Sequence, residues 1–166
     1  MGRFETTAGT YERFREPYPA AFFAKLADRL ALGGSERLID LGTGPGILAL
    51  GFAPYVGSVI GVDPEAEKIA VARANAAEAG VALPLIHARA EDLPPDLGPF
   101  DLITIGRALH WLERGPTIAV LERLLTADGT ILTTGSAPAK DGCNPWLETM
   151  ERVSHSWAPH DERVLS

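Results

Sequence analysis

A doubly wound, mostly parallel α/β sheet is the fold class this chain predicts, and three observations predict it. Short apolar runs alternate with longer stretches at helical spacing along most of the 166 residues. One such run ends in an acid and passes directly into three glycines at alternate positions, "LIDLGTGPGILAL" at residues 38–50. A later run, "VIGVDP", also ends in an acid, Asp63. Strands separated by helices pair in parallel through right-handed crossovers. In such sheets ligands bind at the carboxyl ends of the strands, where the winding reverses.

Taken in order, residues 19–32 set Phe22, Phe23, Leu26 and Leu30 at helical spacing, and Gly33-Gly34 ends that helix. Residues 37–41 are a short buried strand. Residues 46–53 resume as a helix stopped by Pro54, and 58–62 form a second strand. Residues 64–79 are an alanine-rich helix with Pro64 in its first turn and Gly80 at its end. The third strand is 83–87 and the fourth 100–105. A helix at 116–125 follows, Asp128-Gly129 turns the chain, and 130–134 is a fifth strand. After a loop at 135–143, Asn144-Pro145 opens a last helix. There is no internal repeat and no low-complexity tract.

Bulk composition narrows the function. Hydrophobic residues make up 46% and charged residues 22%, the balance of a soluble globular protein long enough for one real core. A formal net charge of -7 offers no broad basic face to a phosphate backbone, so nucleic acid is not the expected partner. The single cysteine, Cys143, cannot form an internal disulfide, which fits a reducing compartment. No apolar run is long enough to span a bilayer, and MGRFETTAG lacks a signal-peptide core. A cytoplasmic location away from membranes is therefore the expectation. CxxC and HxxxH pairs are absent, which argues against a structural metal site.

The glycine turn carries the chemistry. Gly42, Gly44 and Gly46 can take backbone angles closed to other residues and let a ligand lie against bare main chain. The helix that starts there offers unpaired amides and a positive dipole end. A tight strand-to-helix connection without any ligand is the plain alternative. Asp63 lies 17 residues beyond Gly46, placed to accept hydrogen bonds from both hydroxyls of a ribose. It could equally cap the following helix, with Pro64 fixing the turn behind it.

Two nucleoside cofactors fit this outline. Gly44, Gly46 and Ala49 match the dinucleotide fingerprint G-x-G-x-x-G/A. Asp40, however, stands just ahead of the loop, where its charge would repel a pyrophosphate and attract an amino group. S-adenosylmethionine presents an ammonium and a sulfonium there and no phosphate. Charge sign favours the methyl donor.

These residues resemble class I S-adenosylmethionine-dependent methyltransferases. "DLGTGPG" at 40–46 is similar to their first motif and "VDP" at 62–64 to their acidic second-strand end. "AEDLP" at 90–94, "FDLITIGRALHWL" at 100–112 and "LLTADGTIL" at 124–132 follow in the family's order. "YERFREPYP" at 11–19 is similar to the lead-in of the subgroup called methyltransferase type 11.

The resemblance implies a Rossmann-like core at 19–135, an N-terminal lid segment at 1–18 and the start of a substrate-lid region at 136–166. It implies that Asp40 orients the methionine ammonium while Gly42, Thr43, Gly44 and Gly46 line methionine and ribose. Asp63, with Pro64 beside it, would hold the ribose. The Ala90 amide and Glu91 carboxylate would read adenine, with Arg89 standing where many relatives carry an acid. Gly106 and Arg107 would bound the methionine on the substrate side, and Tyr11 and Arg15 would come from the lid. The family sheet has seven strands and only five are legible here. The fold is therefore read as truncated after the fifth strand. Its edge would be bare, covered by residues 145–166, or completed by a second copy in a homodimer.

Methyl transfer is an in-line displacement at an activated carbon, so alignment supplies much of the rate and a base is needed only where the acceptor sheds a proton. His110 is the candidate base and Trp111 a candidate wall for cofactor or acceptor; the plain alternative is a hinge with His110 facing water. Trp146, Met150 and Val153 could roof an acceptor or pack an amphipathic helix on the sheet. Tyr11, Phe14 and Tyr18 could close over the donor. The expected function is methyl transfer to a small-molecule acceptor, at oxygen or carbon. A nicotinamide-dependent oxidoreductase and a non-catalytic donor-binding module are the alternatives.

Overall fold

The computed structural model describes residues 18–135, 143–144 and 146–157. Tyr11, Phe14 and Arg15 lie outside them. Five strands form one parallel sheet: β1 Arg37–Leu41, β2 Ser58–Asp63, β3 Leu85–His87, β4 Phe100–Gly106 and β5 Leu125–Thr134. Their spatial order is β3-β2-β1-β4-β5. The chain begins in the middle, winds outward to β3, then returns to the other side of β1. The winding therefore reverses between β1 and β4, which pair Leu38 with Leu102 and Asp40 with Thr104. A crevice opens at that point, beyond the carboxyl ends of the strands.

Both faces of β1 are covered, which is why its sequence shows no polar side. Leu38 joins Phe23, Leu48, Phe52, Val59 and Leu102 on one face. There it is covered by helices α1 (Ala20–Arg29) and α2 (Ile47–Phe52). Ile39 and Leu41 turn to the other face with Ile103, Ile105, Val120 and Leu124, the last two on α4 (Arg114–Leu124). Helix α3 (Ala66–Ala79) buries Ile69, Ala72 and Ala76 beside β2 and β3. No helix among the described residues is long and apolar enough to cross a membrane.

The first face is close-packed where α1 crosses α2. The Phe23 ring meets Phe52 edge-on at 5.2 Å. Gly51 lies directly beneath it, and a Cβ there would enter the Phe23 ring. Alanine at 51 gains about 1 kcal/mol of helix propensity. Overpacking an aromatic ring in a tight core loses about 1–3 kcal/mol. Gly51→Ala is therefore expected to lower the thermal midpoint by several degrees, read by circular dichroism.

Several element ends differ from the sequence reading. α1 stops at Arg29, before the glycine pair. Ala31 takes the left-handed angle (φ 51), and its N–H and that of Leu32 bond back to Asp28 and Ala27. β3 begins only at Leu85, after Pro84, which has no N–H to give the ladder. α3 begins at Ala66, not Pro64, because Asp63 Oδ1 accepts the Glu65 N–H at 2.9 Å and holds that turn outside the helix. α4 begins at Arg114 and takes Pro116 into its first turn, where N–H groups lack helical partners anyway.

β5 is longer than the expected 130–134. Phe100 pairs with Leu125 but Leu102 with Thr130, so residues 126–129 loop out within the strand. The expected Asp128-Gly129 turn thus falls inside β5, at this irregularity, rather than ahead of the strand. Among the described residues the sheet stops at β5, where Ile131 is 40% exposed.

The chain divides into one compact unit ending at Thr134 and a second starting at Gly135. In the second, helix α5 (Trp146–Trp157) follows Asn144, whose carbonyl accepts the Leu147 N–H at 3.0 Å. Trp146, Met150 and Val153 are exposed on it.

Candidate functional site

A cleft of about 420 Å³ lies at the carboxyl edge of the sheet, within the range of small-molecule sites. Gly42, Gly44, Asp63, Pro64, Ala90, Glu91, Arg107 and Trp111 all line it. A narrow second crevice shares Gly42 and Gly106 with it and reaches Asp40 and Thr43, with Tyr18 as a wall.

Asp40 is 1% exposed. The Thr104 hydroxyl donates to its Oδ1 at 2.6 Å and the Thr43 hydroxyl to its Oδ2 at 2.7 Å. Burial pushes its carboxyl from 3.8 up to about 6; the two hydroxyls oppose that rise and the nearby Asp63 charge adds to it. Burial outweighs them, yet a value of about 6 still leaves an anion at neutral pH on the floor of the crevice, held among the described residues by two hydroxyls and the Ala49 backbone N–H. Thr104 escaped the sequence reading. Its signal was a polar residue inside the apolar run of β4, aligned with Asp40 only once the strands are paired.

The glycine loop is more self-satisfied than expected. Thr43 N donates to Val62 O, Gly46 N to Thr43 O, and Gly44 N to Asp63 Oδ2, at 2.8–2.9 Å. Three amides of the loop are thus taken by the protein, and α2 is only six residues long. The loop therefore makes a poor phosphate cradle. Its glycines serve approach and angle. Gly42 has φ 68, and a Cβ there would stand 2.5 Å from the Ala108 methyl. Gly46 precedes α2 at φ 84.

Asp63 is 3% exposed and links two turns, through Gly44 N at 2.8 Å and Glu65 N at 2.9 Å. Each carboxylate oxygen keeps a further lone pair for a ligand hydroxyl. The capping alternative takes the form of a two-residue turn ahead of α3, with Glu65 in the cap position. His87 Nε2 donates to Pro64 O at 3.0 Å and ties β3 to the same turn.

At the far end, Ala90 is buried and opens a short 3-10 turn, Ala90–Asp92. The Glu91 carboxylate is engaged. Its Oε1 accepts from Glu113 N at 3.0 Å and the Thr117 hydroxyl at 3.3 Å, and its Oε2 from Arg89 Nε at 3.4 Å. Burial disfavours its charge, but backbone N–H groups of Glu91 and Glu113, with the Arg89 guanidinium, outweigh that and hold the carboxyl below its ordinary range. Glu91 thus fastens this wall of the cleft to α4. Arg89 also reaches Glu113 at 2.6 Å.

Past β4, Arg107 and Trp111 line the cleft, and Trp111 is 60% exposed. His110 is exposed on the 3-10 turn Leu109–Trp111, its ring 4.8 Å from that of Trp111. Trp146 lies in the second unit. Cys143 is exposed.

Residues 38–129, more than half of the chain, match the family model described as a methyltransferase domain. An uncharacterized methyltransferase of Mycobacterium tuberculosis is 31% identical over 131 residues, 77% of this chain and 49% of the relative. The ubiquinone biosynthesis O-methyltransferase of Pseudomonas aeruginosa is 33% identical over 109 residues, 63% of this chain and 45% of the relative. The chain spans about half the length of the curated relatives it matches. Among solved structures, YcgJ of Bacillus subtilis superposes with a TM-score of 0.63 at 29% identity, covering 81% of this chain and 59% of that one. A SAM-dependent methyltransferase of Thiobacillus denitrificans, solved with S-adenosyl-L-homocysteine, gives 0.64 at 25% identity, covering 80% and 55%. A Rossmann-like sheet with an acid-flanked glycine loop at its switch point, matched by a family model across that whole region, makes this chain a member of the class I methyltransferase family.

Proposed function

We propose that this protein binds S-adenosylmethionine in the cleft and transfers its methyl group to a small-molecule acceptor. One observation carries the reading: a buried anion, Asp40, faces a crevice off a cleft in which three of the glycine-loop amides are already taken. Such a site suits a ligand with an ammonium and no phosphate. When bound, the donor supplies a methyl group on a sulfonium, which an acceptor lone pair takes in line to leave S-adenosylhomocysteine.

The chain's own residues bind and align. Asp40 attracts the amino group across the crevice floor, directly or through water. Gly42, Thr43, Gly44 and Gly46 let the ligand approach the main chain, and Asp63 accepts the ribose hydroxyls beside Pro64. The Ala90 segment meets adenine through its backbone, since the Glu91 carboxylate already has three donors. Trp111 provides apolar wall toward the acceptor. His110, next to it, is the candidate base for an acceptor that must lose a proton. The Pseudomonas relative's name favours oxygen as the atom methylated.

A nicotinamide dinucleotide is the competing ligand. Its pyrophosphate would meet Asp40 ahead of the loop and find three of the loop's amides already engaged. Calorimetric titration separates the two. Saturable binding of S-adenosylhomocysteine with none for NAD is expected; binding of NAD alone would reverse the assignment.

A further inference from the structure

The donor-side residues Gly42, Asp63 and Ala90 follow or end β1, β2 and β3, on one side of the switch point. The other side, at the ends of β4 and β5, holds a cation those contacts do not use. Arg107 is the first residue past β4 and lines the cleft. Its backbone is left-handed, φ 56, an angle arginine keeps only where its surroundings impose it. Arg107 N donates to Thr134 O at 2.8 Å, and Tyr18 Oη bonds Thr134 Oγ1 at 2.8 Å. The guanidinium carbon lies 4.9 Å from the centroid of the Tyr18 ring. Backbone and side chain are thus both clamped at the end of β5.

For all that clamping, Arg107 Nε is buried with no hydrogen-bond partner among the described residues. A guanidinium N–H taken from water without an acceptor is costly, and a planar carboxylate is its best complement. Trp111 offers apolar surface in the same cleft. We infer that the methyl acceptor carries a carboxylate, received by Arg107, with an apolar body against Trp111. The inference rests on the reading of this cleft as a methyl-donor site. The donor's own amino-acid tail is the other source of a carboxylate, so the test separates the two.

Protein saturated with S-adenosylhomocysteine is titrated with benzoate and with its neutral analogue benzamide, followed by amide NMR shifts. Benzoate is expected to bind at least about tenfold more tightly than benzamide, and Arg107→Gln to remove that preference. Arg107→Lys should keep part of it. Arg107→Gly suits the left-handed angle, so its melting temperature should not fall while benzoate binding is lost. No benzoate binding, or equal binding of both probes, overturns the inference. So does a loss in Arg107→Gln of affinity for S-adenosylhomocysteine but not for 5′-methylthioadenosine, which lacks the tail. If wild-type protein fails to bind S-adenosylhomocysteine at all, the donor reading falls first and this inference with it.

Discussion

Asp63→Ala is expected to weaken S-adenosylhomocysteine binding by about 100-fold or more, because two hydroxyl bonds to a carboxylate are each worth about tenfold or more. The same change should lower stability. Gly44 N and Glu65 N both donate to this side chain, and Asp63 is 3% exposed. Each N–H left without an acceptor costs about 1–3 kcal/mol where water cannot replace it. Calorimetry for affinity and a thermal melt for stability, run on one preparation, read both effects. Unchanged affinity in a folded Asp63→Ala protein would remove the residue from the ligand site. A melting change alone would leave it as a brace between the two turns.

Asp40→Asn should move the two quantities in opposite directions. The folded-state value of about 6 lies above the ordinary 3.8, so Asp40 favours the fold only when protonated. That contribution is complete below about 4 and is lost as pH rises through about 6. Above neutrality the ionised side chain burdens the fold by roughly a few kcal/mol, and asparagine relieves it. The variant should therefore melt higher at mildly alkaline pH. It should also bind the donor at least about tenfold more weakly, having lost the attraction to the ammonium. In the wild type, donor affinity should rise with pH up to about 6 and level off above, since binding the cation requires the ionised form. That pH dependence should vanish in Asp40→Asn. An affinity that falls as pH rises through the same window would contradict the proposed role.

The strand cores were legible because parallel strands covered on both faces are mostly apolar, as β1 and β4 are apart from Asp40, Thr104 and the residues at their edges. Element ends were less so, since contacts distant in sequence set them. The break in β5 follows from the Leu102–Thr130 register, and the start of α3 from the Asp63 side chain. The site divides the same way. Asp40 and Asp63 stood out as acids ending apolar runs. That Thr104 would grip Asp40, or Glu113 and Thr117 engage Glu91, could not be read from residues 64, 22 and 26 positions apart. The loop amides looked open because nothing local shows that Val62 and Asp63 already hold two of them.

The near-contact of residues 42 and 108 joins the two halves of the cleft mechanically. With no room for one more methyl between them, the turn after β1 cannot approach the turn after β4 without displacing it, and a side chain at 42 would wedge the two apart.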